Sequence, residues 1–148
     1  MQAQKFSITR RLKSFRHALG GIRALILTEH NARIHLNATI AVIIMSVIFK
    51  ISKHEGLIIT VAVGFVWITE MFNTCIEKIM NFISTEIHPE IKSIKDIAAA
   101  AVLIASVTAF IIGLIIFIPK ISWTERTLCN YITAGFFFCA AKLTACLL

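Results

Sequence analysis

The sequence lacks the cysteine patterns that hold small extracellular domains or zinc sites. It has four cysteines and no C-x-x-C pair, and three of them, Cys129, Cys139 and Cys146, fall in the last twenty residues. A disulfide framework or a zinc site is therefore not expected. A secretory signal peptide is also not expected, because the first apolar run begins only after residue 34 and no small-residue cleavage site follows it.

Acidic residues are scarce as well. The chain has 8 Asp and Glu against 15 Lys and Arg, for a formal net charge of +7. No RNA- or DNA-binding motif accompanies this charge. Seven of the basic residues precede residue 34: Lys5, Arg10, Arg11, Lys13, Arg16, Arg23 and Arg33. This bias favours a cytoplasmic N-terminus close to anionic lipid.

What the chain has in abundance is apolar sequence. Apolar residues make up 57% of the 148 residues, and the mean hydropathy is +0.82. Soluble domains average about 45–50% apolar residues, and a core of this size could not bury so much apolar surface. The composition therefore predicts a single integral membrane domain rather than a soluble protein.

The order of apolar segments predicts an all-α membrane protein with three spans. The spans are expected at about 34–51, 57–82 and 97–118. The polar stretch 52–56 is predicted as the first turn, 84–96 with Pro89 as the second connection, and Pro119-Lys120 as the end of the third helix. Residues 122–148 are then an additional tail, either a weak fourth membrane segment or a membrane-associated one.

Residues 5–27 form a different kind of helix. Their apolar positions step by three and four residues, at Ile8, Leu12, Phe15, Leu19, Ile22 and Ile26, while most of the basic residues lie off this stripe. The pattern predicts an amphipathic helix on the membrane surface, although a helix packed on other helices would show a similar pattern. Gly20-Gly21 is expected to weaken or bend it. With a cytoplasmic N-terminus, the 84–96 loop lies on the same side of the membrane as this helix.

The most informative stretch is ITEMFNTCIEKIMN, residues 68–81. At about 100° per residue, Glu70, Asn73, Glu77 and Asn81 share one face of a helix over roughly three turns. Ionisable residues at membrane depth are costly and usually functional. One carboxylate could accept a proton while the other helps to hold a hard divalent cation.

Three hypotheses fit this stripe. It could serve a phosphoryl-transfer enzyme, a proton- or ion-translocating oligomer, or only a hydrogen-bonded helix-packing network. Charged residues near the same membrane face, among them Glu29, His88 and Lys95, favour the enzyme because they could bind magnesium and phosphates. No G-x-x-x-x-G-K-[ST] motif and no protein-kinase catalytic loop is present, so such an enzyme would have a different design.

The motif resembles the signature of the prokaryotic diacylglycerol kinase family. That pattern reads roughly E-x-x-N-[ST]-x-[IL]-E, followed by H, K-D and a small-residue stretch A-A-x-V-L. The matching residues are Glu70, Asn73, Thr74, Glu77, His88, Lys95, Asp96, Ala99, Ala100, Val102 and Leu103. The resemblance covers roughly residues 8–121, and NARIHL and HPEIKSIKD look closer to the undecaprenol kinase branch.

The resemblance implies a homotrimer in the bacterial inner membrane. Each subunit would have three spans and an N-terminal surface helix, and would transfer phosphate from ATP, with Mg²⁺, to the hydroxyl of a lipid alcohol, undecaprenol or diacylglycerol. It implies no nucleic-acid partner.

The resemblance also implies roles for individual residues. Glu70 would be the general base, supported by Asn73, and Glu29 and Glu77 would hold magnesium. The nucleotide would contact Arg10, His17, Glu29, Glu77, Glu86, His88, Lys95 and Asp96. The lipid would be bordered by Arg23, Asn31, Glu70 and Ala99.

Two features depart from the family pattern. Asn81 stands where the family usually has Asp, and it keeps an oxygen acceptor but lacks the charge. The tail 122–148 has no recognised counterpart, and no function is assigned to it.

Overall fold

The computed structural model describes the backbone of residues 8–84 and 88–145 and the side chains of residues 11–84 and 88–122. Four helices account for nearly all of it: α1 (Ile8–Thr28), α2 (His30–Ile48), α3 (Lys53–Ile83) and α4 (Pro89–Ala145). Within the described residues, three stretches are long and apolar enough to cross a membrane, namely His30–Ile48, Lys53–Ile83 and Pro89–Ser122. The predicted all-helical fold with three spans and a preceding helix is confirmed.

Helix α1 leaves its apolar stripe uncovered. Leu12, Phe15 and Leu19 are each more than half exposed, as expected for side chains that enter the lipid interface. The helix runs through Gly20-Gly21 without interruption, so these glycines do not break it.

One residue separates α1 from α2. Glu29 takes an extended conformation, with φ −101° and ψ 127°. The Arg33 side chain reaches back across this break, and its Nε and Nη2 atoms donate hydrogen bonds to the carbonyls of Ile26 (3.2 Å) and Leu27 (2.8 Å). A guanidinium thus satisfies the free carbonyls at the end of α1, and the Glu29 carboxylate is held at the junction of the two helices.

The turn between α2 and α3 lies earlier in the sequence than predicted. It is formed around Lys50, whose φ of 47° is left-handed. The amide of Ile51 donates to the Ser46 carbonyl (3.2 Å) and that of Lys50 to the Val47 carbonyl (3.3 Å), the pattern of a Schellman motif. The prediction that 52–56 form the turn is wrong, because these polar residues instead begin α3.

The start of α3 is a capping box. The amide of Glu55 donates to the Ser52 hydroxyl (3.3 Å), and the Glu55 carboxylate accepts a hydrogen bond from the Ser52 amide (2.7 Å). Two otherwise unpaired amides are satisfied in this way. Polar residues before an apolar run therefore mark the beginning of a helix here rather than a loop.

Helix α3 packs mainly on α4 and less extensively on α2. A cluster of Ile59, Ile116 and Phe117 forms the buried core near the start of α3. The rings of Phe49 and Phe117 lie 6.1 Å apart in a tilted arrangement. At the same end, Lys120 Nζ is 3.1 Å from Glu55 Oε2, which ties α4 to the first turn of α3.

Helix α4 does not end at Pro119, contrary to the prediction. It continues to Ala145, with Pro119 inside it. Proline removes one backbone hydrogen bond, but ending the helix in apolar surroundings would leave several groups unpaired. The Ser122 hydroxyl donates to the Pro119 carbonyl (2.9 Å). Residues 122–145 thus extend α4, and their role as a further membrane segment stays a prediction.

Candidate active site

The polar stripe of α3 lies where this helix meets its neighbours. Glu70 is only 1% exposed, and Asn73 and Thr74 are 5% exposed each. These are the buried polar side chains of the described part of the chain, and the remaining buried residues are apolar. Because a buried carboxylate without full hydrogen bonding is costly, this grouping points to chemistry rather than to helix packing.

Two oxygens in this group have no hydrogen-bond partner among the described residues, Glu70 Oε2 and Asn73 Oδ1. The other end of the Asn73 amide is engaged, since Nδ2 donates to Glu77 Oε1 at 3.1 Å. The Asn73 side chain is therefore fixed with its carbonyl oxygen unpaired. Buried unpaired acceptors from residues about one helical turn apart are suited to a bound cation or a donor from a substrate.

Glu29 joins the stripe from outside α3. Its Oε1 atom lies 3.5 Å from Nζ of Lys78 on α3, and it also accepts a hydrogen bond from the Thr28 hydroxyl (3.1 Å). The charges of Glu29 and Glu77 both act on Glu70. Glu29, at the α1–α2 junction, and Glu77 thus both lie within electrostatic range of Glu70.

Asn81 and Lys95 form a contact between the end of α3 and the beginning of α4. Lys95 Nζ donates to Asn81 Oδ1 at 2.6 Å. A neutral amide therefore holds the ammonium group without cancelling its charge. This contact gives Asn81, which departs from the family pattern, a definite structural position.

The other predicted site residues lie at the surface and are not brought into contact with the buried group. His17 and Arg23 on α1, Asn31 on α2, and Asp96 and Ala99 on α4 are exposed. His88 is exposed just before α4, and its Nδ1 accepts a hydrogen bond from the Glu90 amide at 3.3 Å. Glu86 and the side chain of Arg10 lie outside the described residues.

Two residues near the stripe were missed as site residues by the sequence analysis. His35 on α2 places its Nε2 atom 3.8 Å from Glu70 Oε2, and Lys78 pairs with Glu29. The sequence grouped His35 with Glu29 only as polar residues before the first span. Its position opposite Glu70 depends on how α2 packs against α3, which the sequence pattern does not specify.

An apolar cavity of about 420 Å³ lies between α2, α3 and α4. It extends along α4 from Ser106 to Ile121, and His35 is on its lining. Sixteen residues of helix correspond to about 22 Å along the helix axis. The cavity can therefore hold a long apolar chain, and His35 on its lining connects it with Glu70.

Comparison with known proteins agrees with the motif. The family described as prokaryotic diacylglycerol kinase matches residues 16–117, more than half of the chain. The chain is 40% identical over 114 residues to the undecaprenol kinase of Bacillus subtilis, covering 77% of this chain and 93% of that protein. It is 31% identical over 111 residues to the diacylglycerol kinase of Synechocystis, covering 74% of this chain and 63% of that protein.

These matches decide among the three hypotheses drawn from the stripe. They favour phosphoryl transfer over ion translocation or helix packing alone, because the matched region, residues 16–117, contains the whole stripe, all of α2 and the first part of α4. The chain belongs to the prokaryotic diacylglycerol kinase family and is a multi-pass membrane lipid kinase that uses ATP.

Proposed function

We propose that the protein phosphorylates the terminal hydroxyl of undecaprenol, with ATP as donor and Mg²⁺ as the required cation. Diacylglycerol is the second candidate acceptor. The similarity to the undecaprenol kinase is higher and covers more of that relative than does the similarity to the diacylglycerol kinase. The observation that carries the proposal is the buried Glu70 carboxylate, which has an unpaired oxygen beside Asn73.

Glu70 acts as the general base in this proposal. The lipid hydroxyl gives its proton to Glu70 Oε2, and the resulting oxygen nucleophile attacks the γ-phosphorus of ATP. The bond from the γ-phosphorus to the β–γ bridging oxygen breaks, and ADP leaves with that electron pair. Phosphoryl transfer needs positioning and charge neutralisation more than covalent help from the protein. Glu70 therefore has only to accept the proton of the lipid hydroxyl.

Glu29 and Glu77 are the proposed magnesium ligands, with Asn73 fixing the orientation of Glu77. Their oxygens suit a hard cation, which in kinases is bound by one or two carboxylates together with substrate phosphates and water. Among residues 11–84 and 88–122, no group of three His, Cys, Asp or Glu side chains is placed to hold a metal ion. The ATP phosphates would therefore complete the coordination of the magnesium ion. Bound magnesium would neutralise phosphate charge during transfer.

Lys78 contacts Glu29, one of the two proposed metal ligands. Its ammonium lies 3.5 Å from Glu29, where it balances part of the charge of the acidic group. Its side chain is 56% exposed, so it can move away when a divalent cation and phosphates arrive. Lys78 therefore does not conflict with Glu29 as a metal ligand.

The nucleotide is proposed to bind at the membrane face formed by the end of α3, the beginning of α4 and α1. Lys95 provides a positive charge for the phosphates. The remaining proposed contacts are Arg10, His17, Glu86, His88 and Asp96. Their surface positions, where described, suit a ligand that arrives from water.

The lipid is proposed to lie with its chain in the apolar cavity and its hydroxyl at Glu70. The cavity lining is almost entirely aliphatic and aromatic, apart from groups such as His35, Thr39 and Ser106. Arg23, Asn31 and Ala99 would border the lipid at its polar end.

The subunit is proposed to assemble as a homotrimer, with residues 1–121 as the kinase domain and the N-terminus in the cytoplasm. Large apolar side chains on α2, α3 and α4 are exposed in the single chain, among them Val47, Phe72 and Leu103. Lipid and neighbouring subunits would cover these faces together. The basic N-terminal region supports the orientation.

The test is a phosphorylation assay in lipid micelles with labelled ATP, magnesium and either undecaprenol or diacylglycerol. We expect labelled undecaprenyl phosphate to form faster than labelled phosphatidic acid. Glu70→Gln should lower kcat by at least about 10³-fold, because the amide cannot accept the proton. If Glu70→Gln keeps full activity, or if neither lipid is labelled, the proposed mechanism is wrong.

A further inference from the structure

The contact between His35 and Glu70 is not explained by the roles proposed above. Nε2 of His35 lies 3.8 Å from Oε2 of Glu70, which is the carboxylate oxygen that has no hydrogen-bond partner among the described residues. The Glu70 side chain is 2% exposed and the His35 side chain 17%. A nearly enclosed carboxylate oxygen thus faces the Nε2 atom of an imidazole side chain that is partly exposed.

A polar contact between α2 and α3 lies one helical turn from His35. Trp67 on α3 donates from Nε1 to the Thr39 hydroxyl oxygen (3.1 Å), and the Thr39 hydroxyl donates to the His35 carbonyl (2.7 Å). Trp67 precedes Glu70 by about one helical turn, and Thr39 follows His35 by one turn. The two helices are therefore held in a register that sets His35 opposite Glu70.

A histidine that only packs between helices would be expected to satisfy its ring nitrogens by direct hydrogen bonds. The gap of 3.8 Å is instead longer than a hydrogen bond and lies beside the cavity whose lining includes His35. Shortening this distance by about 1 Å would make a hydrogen bond. The same gap is adjacent to the place where the lipid hydroxyl must come to reach Glu70.

We propose that His35 is a positioning residue for Glu70 and the acceptor of the proton that Glu70 removes from the lipid hydroxyl. The imidazole holds Oε2 toward the hydroxyl. After transfer, the proton passes from Oε2 to Nε2, which forms an imidazolium, and the ring then releases a proton to water at its exposed edge. Glu70 returns to the carboxylate, and no further reactant is needed. This inference rests on the proposed role of Glu70 as base.

The charged groups that act on Glu70 come from three places. They are His35 on α2, Glu77 on the same helix, and Glu29 at the α1–α2 junction. Helix α4, which packs on α3, supplies none of the groups that act on Glu70 in the described part of the chain. Of the three, His35 alone carries a positive charge when protonated, so it is the group that can balance the carboxylate.

The experiment compares His35→Gln with His54→Gln in the full-length protein. Glutamine keeps a polar group of similar reach but cannot shuttle a proton. We expect His35→Gln to lower kcat by about 10- to 100-fold, with KM for ATP and lipid unchanged within about twofold, and to remove one ionisation from the kcat–pH profile. His54 is exposed in the first turn of α3, so His54→Gln should match the wild type in all three readouts.

A double mutant separates this inference from the proposed function. If His35 acts through Glu70, then adding His35→Gln to Glu70→Gln should lower the residual activity no further. Additive losses, an effect on KM alone, or an unchanged pH profile would overturn the role of His35 while leaving Glu70 as the base. Full activity of Glu70→Gln would instead overturn the base itself.

Loss of folding is checked on the same samples. Far-ultraviolet circular dichroism and detergent-induced unfolding should show His35→Gln to be as helical and as stable as His54→Gln. If His35→Gln unfolds, His35→Asn provides the second variant. Asparagine places its amide nitrogen near the Nδ1 position, is smaller, and likewise cannot pass a proton, so it should reproduce the loss of kcat and of the ionisation.

Discussion

The two ends of α3 differ in how their polar groups are satisfied. At its beginning, Glu55 is held by Ser52 and Lys120, above a core of Ile59, Ile116 and Phe117. Toward its other end, Glu70 and Asn73 are buried with unpaired oxygens. One helix therefore combines a closed end, residues 52–59, with an open end, residues 70–81.

The closed end of α3 therefore stabilises the fold, whereas the open end holds the residues of the proposed chemistry. At the closed end Ser52 and Glu55 cap the helix, and Glu55 also joins α3 to Lys120 of α4. The open end leaves acceptors unpaired at some cost in stability, which is usual where a protein binds a ligand or moves a proton. Substitutions at the two ends should therefore change different measured quantities.

The largest difference is expected between two glutamates of α3, Glu77 and Glu55. Glu77→Gln keeps the size of the side chain but removes a proposed metal ligand, so kcat/KM should fall by at least about 100-fold at ordinary magnesium concentrations. Activity should recover in part at high magnesium. Glu55→Gln should leave kcat unchanged and lower resistance to unfolding, because it weakens the bond to Lys120.

Steady-state assays over a range of magnesium concentrations, together with unfolding in mixed micelles of sodium dodecyl sulfate, measure both effects. A loss of activity in Glu55→Gln equal to that in Glu77→Gln would show that the two ends are not functionally separate.

The next effect concerns the core of the closed end. Phe117→Ala should destabilise the protein by about 2 kcal/mol, less than the 3–5 kcal/mol typical of soluble cores, because lipid replaces water in the reference state and only packing is lost. The kcat of the folded variant should be unchanged. Phe82→Ala is the control, since Phe82 is 92% exposed and its removal should change stability by less than about 0.5 kcal/mol.

Asn81→Asp tests the open end with a smaller change. A carboxylate would pair with the Lys95 ammonium and reduce the charge offered to the nucleotide, so KM for ATP should rise by about threefold, the size expected for an exposed ion pair. Asn81→Ser, which stays neutral, should leave KM close to that of the wild type. A lower KM in Asn81→Asp would mean that an acid at this position helps nucleotide binding.

The smallest effect is expected at the turn before the closed end. Lys50 has a left-handed φ of 47°, which glycine adopts without steric cost. Lys50→Gly should therefore stabilise the protein by about 0.5 kcal/mol, after the greater flexibility of glycine in the unfolded chain is counted. Lys53→Gly, inside the first turn of α3, should do the opposite. Unfolding midpoints in mixed micelles distinguish the two.

The sequence predicted the number and type of the helices because long apolar runs and helical periodicity are local features. It misplaced the α2–α3 turn because polar residues 52–56 form a helix cap as readily as a loop. It ended α4 at Pro119 because proline destabilises a helix locally. The larger free-energy cost of leaving backbone groups unpaired in lipid is not visible in the sequence. The sequence predicted a boundary between a helix at 5–27 and a span from about 34, but it did not place the break at Glu29, where Arg33 folds back onto α1.

For the candidate site, helical spacing placed Glu70, Asn73 and Glu77 on one face, and the hydrogen bond between Asn73 and Glu77 agrees with that spacing. The contacts of Glu70 with His35 and of Lys95 with Asn81 join residues 35 and 14 positions apart in the chain. Such pairs depend on how helices pack and cannot be read from periodicity. The roles assigned to the site residues stay predictions.

The length of α3 links the proposed role of Glu70 to the thickness of the membrane. Its 31 residues span about 46 Å, against about 30 Å for a typical hydrocarbon layer. Glu70, seventeen residues beyond the first residue of α3, would sit at a fixed depth of about 26 Å along the helix, whereas the depth of a lipid hydroxyl follows the bilayer surface. In bilayers of different acyl-chain length, the lipid hydroxyl and the Glu70 carboxylate should therefore match in depth to different degrees. We expect kcat to vary with membrane thickness for this reason.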